Sequence, residues 1–180
     1  MRLLRARPAS RSLRILDIGT GSGAIAVTLA AEAPNVSVTA TDVSRTALRM
    51  TRLNARTHRV SERVRVVHAH LFPPGFEELF DMITVNPPYV PGGDIPGLSR
   101  DVLREPRKAL DGGKDGLQVI REILGRAPRF MQPGAYLVCE IGYGQSGDMA
   151  SLPQYPLRLE KLRKDLSGTK RVAVFRLSRS

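Results

Sequence analysis

Leu13-Arg14-Ile15-Leu16-Asp17-Ile18-Gly19-Thr20-Gly21-Ser22-Gly23 is the stretch whose reading decides the fold. Its first six residues form a short apolar run closed by glycine, the pattern of a buried strand. The three glycines follow at once and open an Ala-rich segment, residues 22–33, that ends before Pro34 and reads as a helix. Glycine lets the backbone approach a ligand closely and take positive φ. Asp42 stands 19 residues beyond Gly23, at the end of the next β-branched run, residues 36–41. A carboxylate there can accept both ribose hydroxyls of an adenosine. Gly19-x-Gly21-x-x-Ala24 also satisfies the dinucleotide fingerprint, so at this point a nicotinamide or flavin enzyme stands beside other nucleoside binders, and beside a tight turn with no ligand.

Outward from this unit, strands alternate with helices. Residues 44–57 read as a helix with Ser44 as N-cap. Residues 64–68 and 82–85 read as strands three and four, residues 117–129 as a helix and 135–141 as strand five. Two further strands are expected at 157–162 and 171–177. Only the turn-like Asp165-Leu166-Ser167-Gly168 separates them, so they pair antiparallel, because a parallel pair needs a crossover. The pattern predicts an α/β fold with a seven-stranded, mostly parallel sheet and an antiparallel C-terminal strand. The Gly- and Pro-rich stretch 90–113 exceeds the usual loop ceiling of about 12–15 residues, which marks it as functional or mobile. Residues 1–12 read as a lead-in or linker and 13–180 as one domain.

Composition narrows the class. The chain has 180 residues, 42% apolar and 25% charged, near the globular average, and holds no apolar run of the about 18 residues needed to cross a bilayer. The single cysteine, Cys139, lies in the apolar run 135–141 and reads as a reduced core thiol, which places the chain in the cytoplasm with no membrane partner. The net charge of +11 suggests an anionic partner, but 23 of the 28 basic residues are arginine, a bias that a GC-rich genome also produces. Arg45, Arg49, Arg52 and Arg56 are spaced 4, 3 and 4, and so form one basic stripe on a helix; a solvated face is its ordinary reading.

Asn86-Pro87-Pro88-Tyr89 follows strand four, at the sheet edge where open α/β sheets bind ligands. Each proline fixes φ and removes an N–H, and the residue before a proline is held extended. The segment is therefore stiff and offers two acceptors, the Asn86 side-chain oxygen and the Pro87 carbonyl. Two acceptors in one plane suit an –NH₂ group attached to a planar system, with Tyr89 lying against that plane. A proline-rich turn that merely caps a strand would instead place Gly or Asp at its tight positions.

Together the glycine loop, Asp42 and Asn86-Pro87-Pro88-Tyr89 resemble a class I S-adenosylmethionine-dependent methyltransferase acting on an amino nitrogen. The stretches 105–117, 139–145 and 164–172 narrow the likeness to the HemK-type family, the peptide chain release factor glutamine methyltransferases. The resemblance covers residues 13–178. It implies a Rossmann-like fold with helices on both faces of the sheet. It implies that S-adenosyl-L-methionine binds at Gly19, Thr20, Gly21, Ser22 and Gly23 with Asp42 on the ribose, and that Asn86 serves both cofactor and substrate. The position beside the adenine falls on Leu71; family members typically have an Asp before a large or aromatic residue here, where this chain has His70 and Leu71. Asp17 matches an acidic position of the family. The implied protein substrate is a release factor, through a glutamine in its Gly-Gly-Gln loop, with Asn86, Pro87, Pro88 and Tyr89 at the reacting centre. Such proteins usually carry a helical N-terminal domain, whereas this chain reaches strand one at Leu13, so the resemblance is to the catalytic domain.

Two alternatives accompany this reading. An adenine or guanine amino-methyltransferase uses the same clamp on a base taken out of its stack, which makes nucleic acid the second partner class. A non-catalytic relative keeps the fold without the reaction. His68 and His70 share one face of a strand, but a metal site needs further ligands that the sequence does not suggest, so no metal is expected. Ser22 and Ser99 have no His and Asp in hydrolase order.

Overall fold

The computed structural model describes residues 11–75, 77–152 and 155–178. The lead-in 1–12 therefore lies, except for Arg11 and Ser12, outside the described residues. The seven strands form one sheet of order β3-β2-β1-β4-β5-β7-β6: β1 (Leu13–Ile18), β2 (Val36–Asp42), β3 (Val64–His68), β4 (Phe80–Val85), β5 (Met131–Glu140), β6 (Leu157–Lys164) and β7 (Lys170–Leu177). The chain divides into two compact units, Met1–Thr84 and Val85–Ser180.

In Met1–Thr84 the ladders β1–β2 and β2–β3 are parallel, with Ile15 opposite Val38 and Ala40 opposite Val66. Parallel strands are covered on both faces, which is why β1 is a near-continuous apolar run, with Ile15 and Leu16 fully buried. The crossover from β1 to β2 is helix α1 (Ala24–Glu32), and that from β2 to β3 is α2 (Arg45–Thr57). Helix α1 starts two residues later than the sequence pattern places it, because Gly23 sits at φ 83° and closes the turn before the helix begins. Helix α2 starts as expected: the Ser44 hydroxyl accepts from the Ala47 N–H at 3.2 Å. The strand order reverses between β1 and β4, the kind of switch point at which open α/β sheets take ligands.

In Val85–Ser180, β7 lies between β5 and β6 and is antiparallel to both; the short 165–168 turn requires this of β6 and β7. That turn is built on Asp165, whose Oδ1 accepts from Ser167 N and Thr169 N at 2.9 and 3.0 Å. The stretch 90–113 is not structureless. A bridge between Val90 and Asp111 closes its neck, and it contains two single 3₁₀ turns and the short helix α3 (Arg107–Leu110). Helix α4 (Gln118–Arg126) ends before its expected limit at residue 129. Pro128 has no N–H to continue an α-helix, so Ala127–Phe130 becomes a 3₁₀ turn. A further short helix, α5 (Asp148–Ser151), was not apparent in the sequence pattern. The core of this unit is Ile120, Ile123, Leu137, Phe175 and Cys139. Burial pushes the Cys139 thiol up to about 12, so it is a packed core group and not a nucleophile.

Candidate active site

The glycine loop is shaped by a buried acid. Asp17 is 1% exposed, and its two oxygens accept hydroxyl hydrogens from Thr20 at 2.6 Å and Thr84 at 2.7 Å. Burial raises its carboxyl to about 6 against the pull of those two bonds, with the Ala26 backbone N–H a further lowering contact. Thr20 is thereby fixed at the centre of the loop, and its N–H donates to the Thr41 carbonyl at 2.9 Å. Gly19, Gly21 and Gly23 all take positive φ. A Cβ at Gly21 would meet nothing within 4 Å, whereas one at Gly23 would lie 2.8 Å from Thr51 Cγ2 on α2. Gly21 thus keeps space open over the loop, and Gly23 permits close packing of loop on helix. The Ser22 carbonyl accepts from Asn54 Nδ2 at 2.9 Å.

Asp42 is half-buried at the end of β2, and both of its oxygens already hold backbone donors. Oδ2 accepts from Gly21 N at 2.9 Å and Oδ1 from Ser44 N at 2.7 Å. A carboxylate has about four lone-pair sites, so two acceptor positions stay available for a pair of ribose hydroxyls. The donor set and the open space over Gly21 therefore fit an adenosine. Leu71, the position expected beside an adenine, sits in the left-handed region at φ 60°, and its carbonyl accepts from the Thr41 hydroxyl at 2.7 Å. A β-region residue would direct this peptide elsewhere; the backbone, not the Leu side chain, carries the polar contact. His68 Nε2 lies 2.9 Å from the Val43 carbonyl, an ordinary hydrogen bond.

The second group of residues belongs to Val85–Ser180. Asn86 is exposed, and no hydrogen bond among the described residues engages its side-chain amide; Pro87 is buried, and Pro88 and Tyr89 are half-buried. The phenol of Tyr89 is pushed up from its ordinary value, first by burial and then by the negative charge of Glu140. Its backbone carbonyl accepts from Gln145 Nε2 at 3.1 Å. Asp115, in the turn before α4, holds Arg121 through both carboxylate oxygens at 3.0 and 2.5 Å, and this guanidinium lowers its carboxyl to about 2.

Sequence reasoning placed Gly19, Thr20, Gly21, Ser22 and Gly23 on the turn after strand one and Asp42 at the end of strand two, and the bond from Gly21 N to Asp42 brings them together. It did not identify Thr84 as a partner of Asp17, nor Gln145 as a partner of Tyr89. Thr84 carried a readable signal, being the one hydroxyl in an otherwise apolar strand end. Gln145 carried none beyond its place in the 139–145 motif.

Residues 2–138 match the family model of the methyltransferase small domain. The release factor glutamine methyltransferase of Geobacter sulfurreducens is 42% identical over 141 residues, 78% of this chain and 49% of that protein. The ribosomal protein uL3 glutamine methyltransferase of Bradyrhizobium diazoefficiens is 40% identical over 144 residues, covering 80% and 45%. The chain spans about half the length of these curated relatives. A methyltransferase from Pyrococcus furiosus superposes with a TM-score of 0.70 at 19% identity, over 98% of this chain and 80% of that one, and so shares the fold. A glycine loop after β1, an acid at the end of β2, a sheet with an antiparallel last strand and a match over most of the chain have one reading: the protein belongs to the methyltransferase small domain family.

Proposed function

We propose that this chain transfers a methyl group from S-adenosylmethionine to the side-chain amide nitrogen of a glutamine in a protein of the translation machinery, with a peptide chain release factor as the first candidate substrate. The observation that carries the reading is the exposed, unengaged amide of Asn86 on a segment stiffened by Pro87 and Pro88. The two relatives named for glutamine methylation support it, and a translation substrate is consistent with work in the cytoplasm.

S-adenosylmethionine supplies an electrophilic methyl group on a sulfonium that departs as a thioether. The protein's own part is position and electrostatics. Gly19 to Gly23 and Asp42 hold the nucleoside. An amide nitrogen is a poor nucleophile because its lone pair is delocalised into the carbonyl. The Asn86 oxygen and the Pro87 carbonyl accept its two N–H bonds, aim the nitrogen and favour the positive charge that builds there. Such orientation is worth up to about 7–11 kcal/mol of barrier. The new N–C bond forms as the S–C bond breaks, and the methylated nitrogen then loses a proton to water, so no strong base is needed.

Methyl incorporation into a release factor, into ribosomal protein uL3 and into RNA, measured side by side, tests the reading. Asn86→Ala is expected to lower kcat by at least about a hundredfold, the scale of removing one preorganised polar group, while S-adenosylmethionine still binds. Near wild-type turnover in that variant, or incorporation into RNA alone, refutes the glutamine reading.

A further inference from the structure

Among the described residues of Val85–Ser180, Gln145 is the one buried polar side chain, 8% exposed. Its amide ties three separate loops. Oε1 accepts from Gly142 N at 2.8 Å, and Nε2 donates to the carbonyls of Tyr89 at 3.1 Å and Gly116 at 3.2 Å. These carbonyls lie in the segment after β4 and in the turn before α4. The loops are cut to fit the knot. A Cβ at Gly116, where φ is 74°, would overlap the Tyr89 carbonyl oxygen and lie 2.8 Å from Gln145 Nε2. A Cβ at Gly142 would lie 3.0 Å from Gln145 Oε1 and 3.1 Å from the Tyr89 ring.

We propose that Gln145 is a positioning residue for substrate. It fixes the Tyr89 carbonyl against the turn at Gly116, and so sets where the segment 86–89 presents its two acceptors. Proline fixes φ at residues 87 and 88, which leaves ψ and the Tyr89 torsions as the segment's soft angles. A hydrogen bond at the Tyr89 carbonyl restrains those angles at the far end. Both donors of one primary amide are used on the two carbonyls, and its oxygen anchors it to the third loop. No apolar side chain and no hydroxyl can supply that pattern. The proposal rests on the methyl-transfer reading for its consequence: Gln145 acts on the amide-transfer step and leaves cofactor binding alone.

Three proteins test it: wild type, Gln145→Met and Gln145→Glu. The Met variant keeps the length and loses all three bonds. The Glu variant keeps the acceptor for Gly142 N–H and points a carboxylate at two carbonyl oxygens. Burial and those carbonyls favour its neutral form, which can donate one bond again. For Gln145→Met we expect a fall in kcat of at least about tenfold, within the hundredfold that a misplacement of about 1 Å causes, with unchanged affinity for S-adenosylmethionine by calorimetry. For Gln145→Glu we expect kcat relative to wild type to rise as pH falls, read on protein that circular dichroism shows to be fully folded at every pH used, because a buried carboxylate also gains stability as pH falls. Hydrogen exchange should quicken at residues 86–92 and 112–118 in the Met variant and stay unchanged at 17–42.

Wild-type kcat in either variant, cofactor affinity falling in step with kcat, or a pH profile of Gln145→Glu parallel to wild type overturns the proposal. If Gln145→Met does not fold, the Glu variant carries the test; if neither folds, Gln145 is a folding residue and the proposal is wrong. A wild-type protein that methylates no glutamine sinks the proposed function instead. The tether is then judged by exchange alone, and unchanged exchange at 86–92 and 112–118 overturns it.

Discussion

Asp42 and Asn86 each stand at the end of a strand, yet they are held by different means. Around Asp42 most partners are near: Asp17 binds Thr20, and Asp42 binds Gly21 and Ser44, so the loop after β1 and the end of β2 hold each other with a few side-chain and backbone bonds, and one distant residue, Thr84 of β4, adds a second bond to Asp17. Around Asn86 the chain is stiff by composition, but its far end is held by Gln145, 56 residues further along the sequence. The first arrangement is centred on its own strand pair and keeps several bonds if any one is lost. The second exists only once the loops before α4 and after β5 have closed. The first should therefore tolerate local damage better than the second.

A matched pair of glycine substitutions probes this most strongly. Both Gly21 and Gly116 have positive φ, so alanine at either costs about 1–2 kcal/mol for the left-handed backbone. At Gly21 the added methyl meets open space, and that is the whole effect on stability. At Gly116 it overlaps a backbone carbonyl, which adds about 1–3 kcal/mol of overpacking. Denaturant unfolding should place Gly116→Ala below Gly21→Ala by that margin. Equal losses would mean that the knot around Gln145 is loose and the contrast false.

The buried acid gives the next effect. The Asp17 carboxyl is raised from 3.8 to about 6 in the fold. Between those values the native state binds the proton more tightly than the unfolded chain, so stability from this group is greatest at low pH and falls as pH rises. The loss is complete above about pH 6 and amounts to about 3 kcal/mol. Asp17→Asn removes the titration. The unfolding free energy of the variant minus that of wild type should therefore climb between about pH 4 and 6 and then level off. A difference that is flat with pH would show that burial does not shift Asp17.

These contrasts also explain what could be read from the sequence. Strand β1, the glycine turn, the Ser44 cap and the antiparallel last strand were legible because each is decided by neighbouring residues: an apolar run, a positive-φ requirement, a hydroxyl at a helix start, a turn too short for a crossover. Asn86 and its prolines were legible for the same reason. Gln145 was not, because nothing in a glutamine near a glycine turn announces that its amide will reach Tyr89 and Gly116. Thr84 stands out as a hydroxyl in an apolar strand end, but its partner Asp17, 67 residues away, is not legible from the sequence. Leu71 was placed by resemblance alone; its left-handed backbone and the bond its carbonyl accepts from the Thr41 hydroxyl, 30 residues away in sequence, leave no local signal. Element ends shifted where a single residue intervened, Gly23 before α1 and Pro128 after α4.

The smallest expected effect on stability falls on Asp42, because it has two tasks that can be separated. Its oxygens already accept from Gly21 N and Ser44 N, and in the proposed function they also accept the ribose hydroxyls. Asp42→Ala removes both, and charge-assisted hydrogen bonds of this kind are worth about 1.5–3 kcal/mol, or roughly 10–150-fold in the Kd for S-adenosylmethionine. Asp42→Asn keeps one oxygen and loses the charge, so it should fall between wild type and Ala. Because the loop is also held by Thr20, Thr51 and Asn54, both variants should unfold close to wild type, and the loss should appear in calorimetry of the cofactor and its demethylated product. The same titration run with a nicotinamide dinucleotide decides between the two readings of the glycine motif. Tight dinucleotide binding with no response to S-adenosylmethionine would overturn the cofactor assignment; a large drop in stability in Asp42→Ala would instead show that the loop after β1 depends on its acid as heavily as the segment at Tyr89 depends on Gln145.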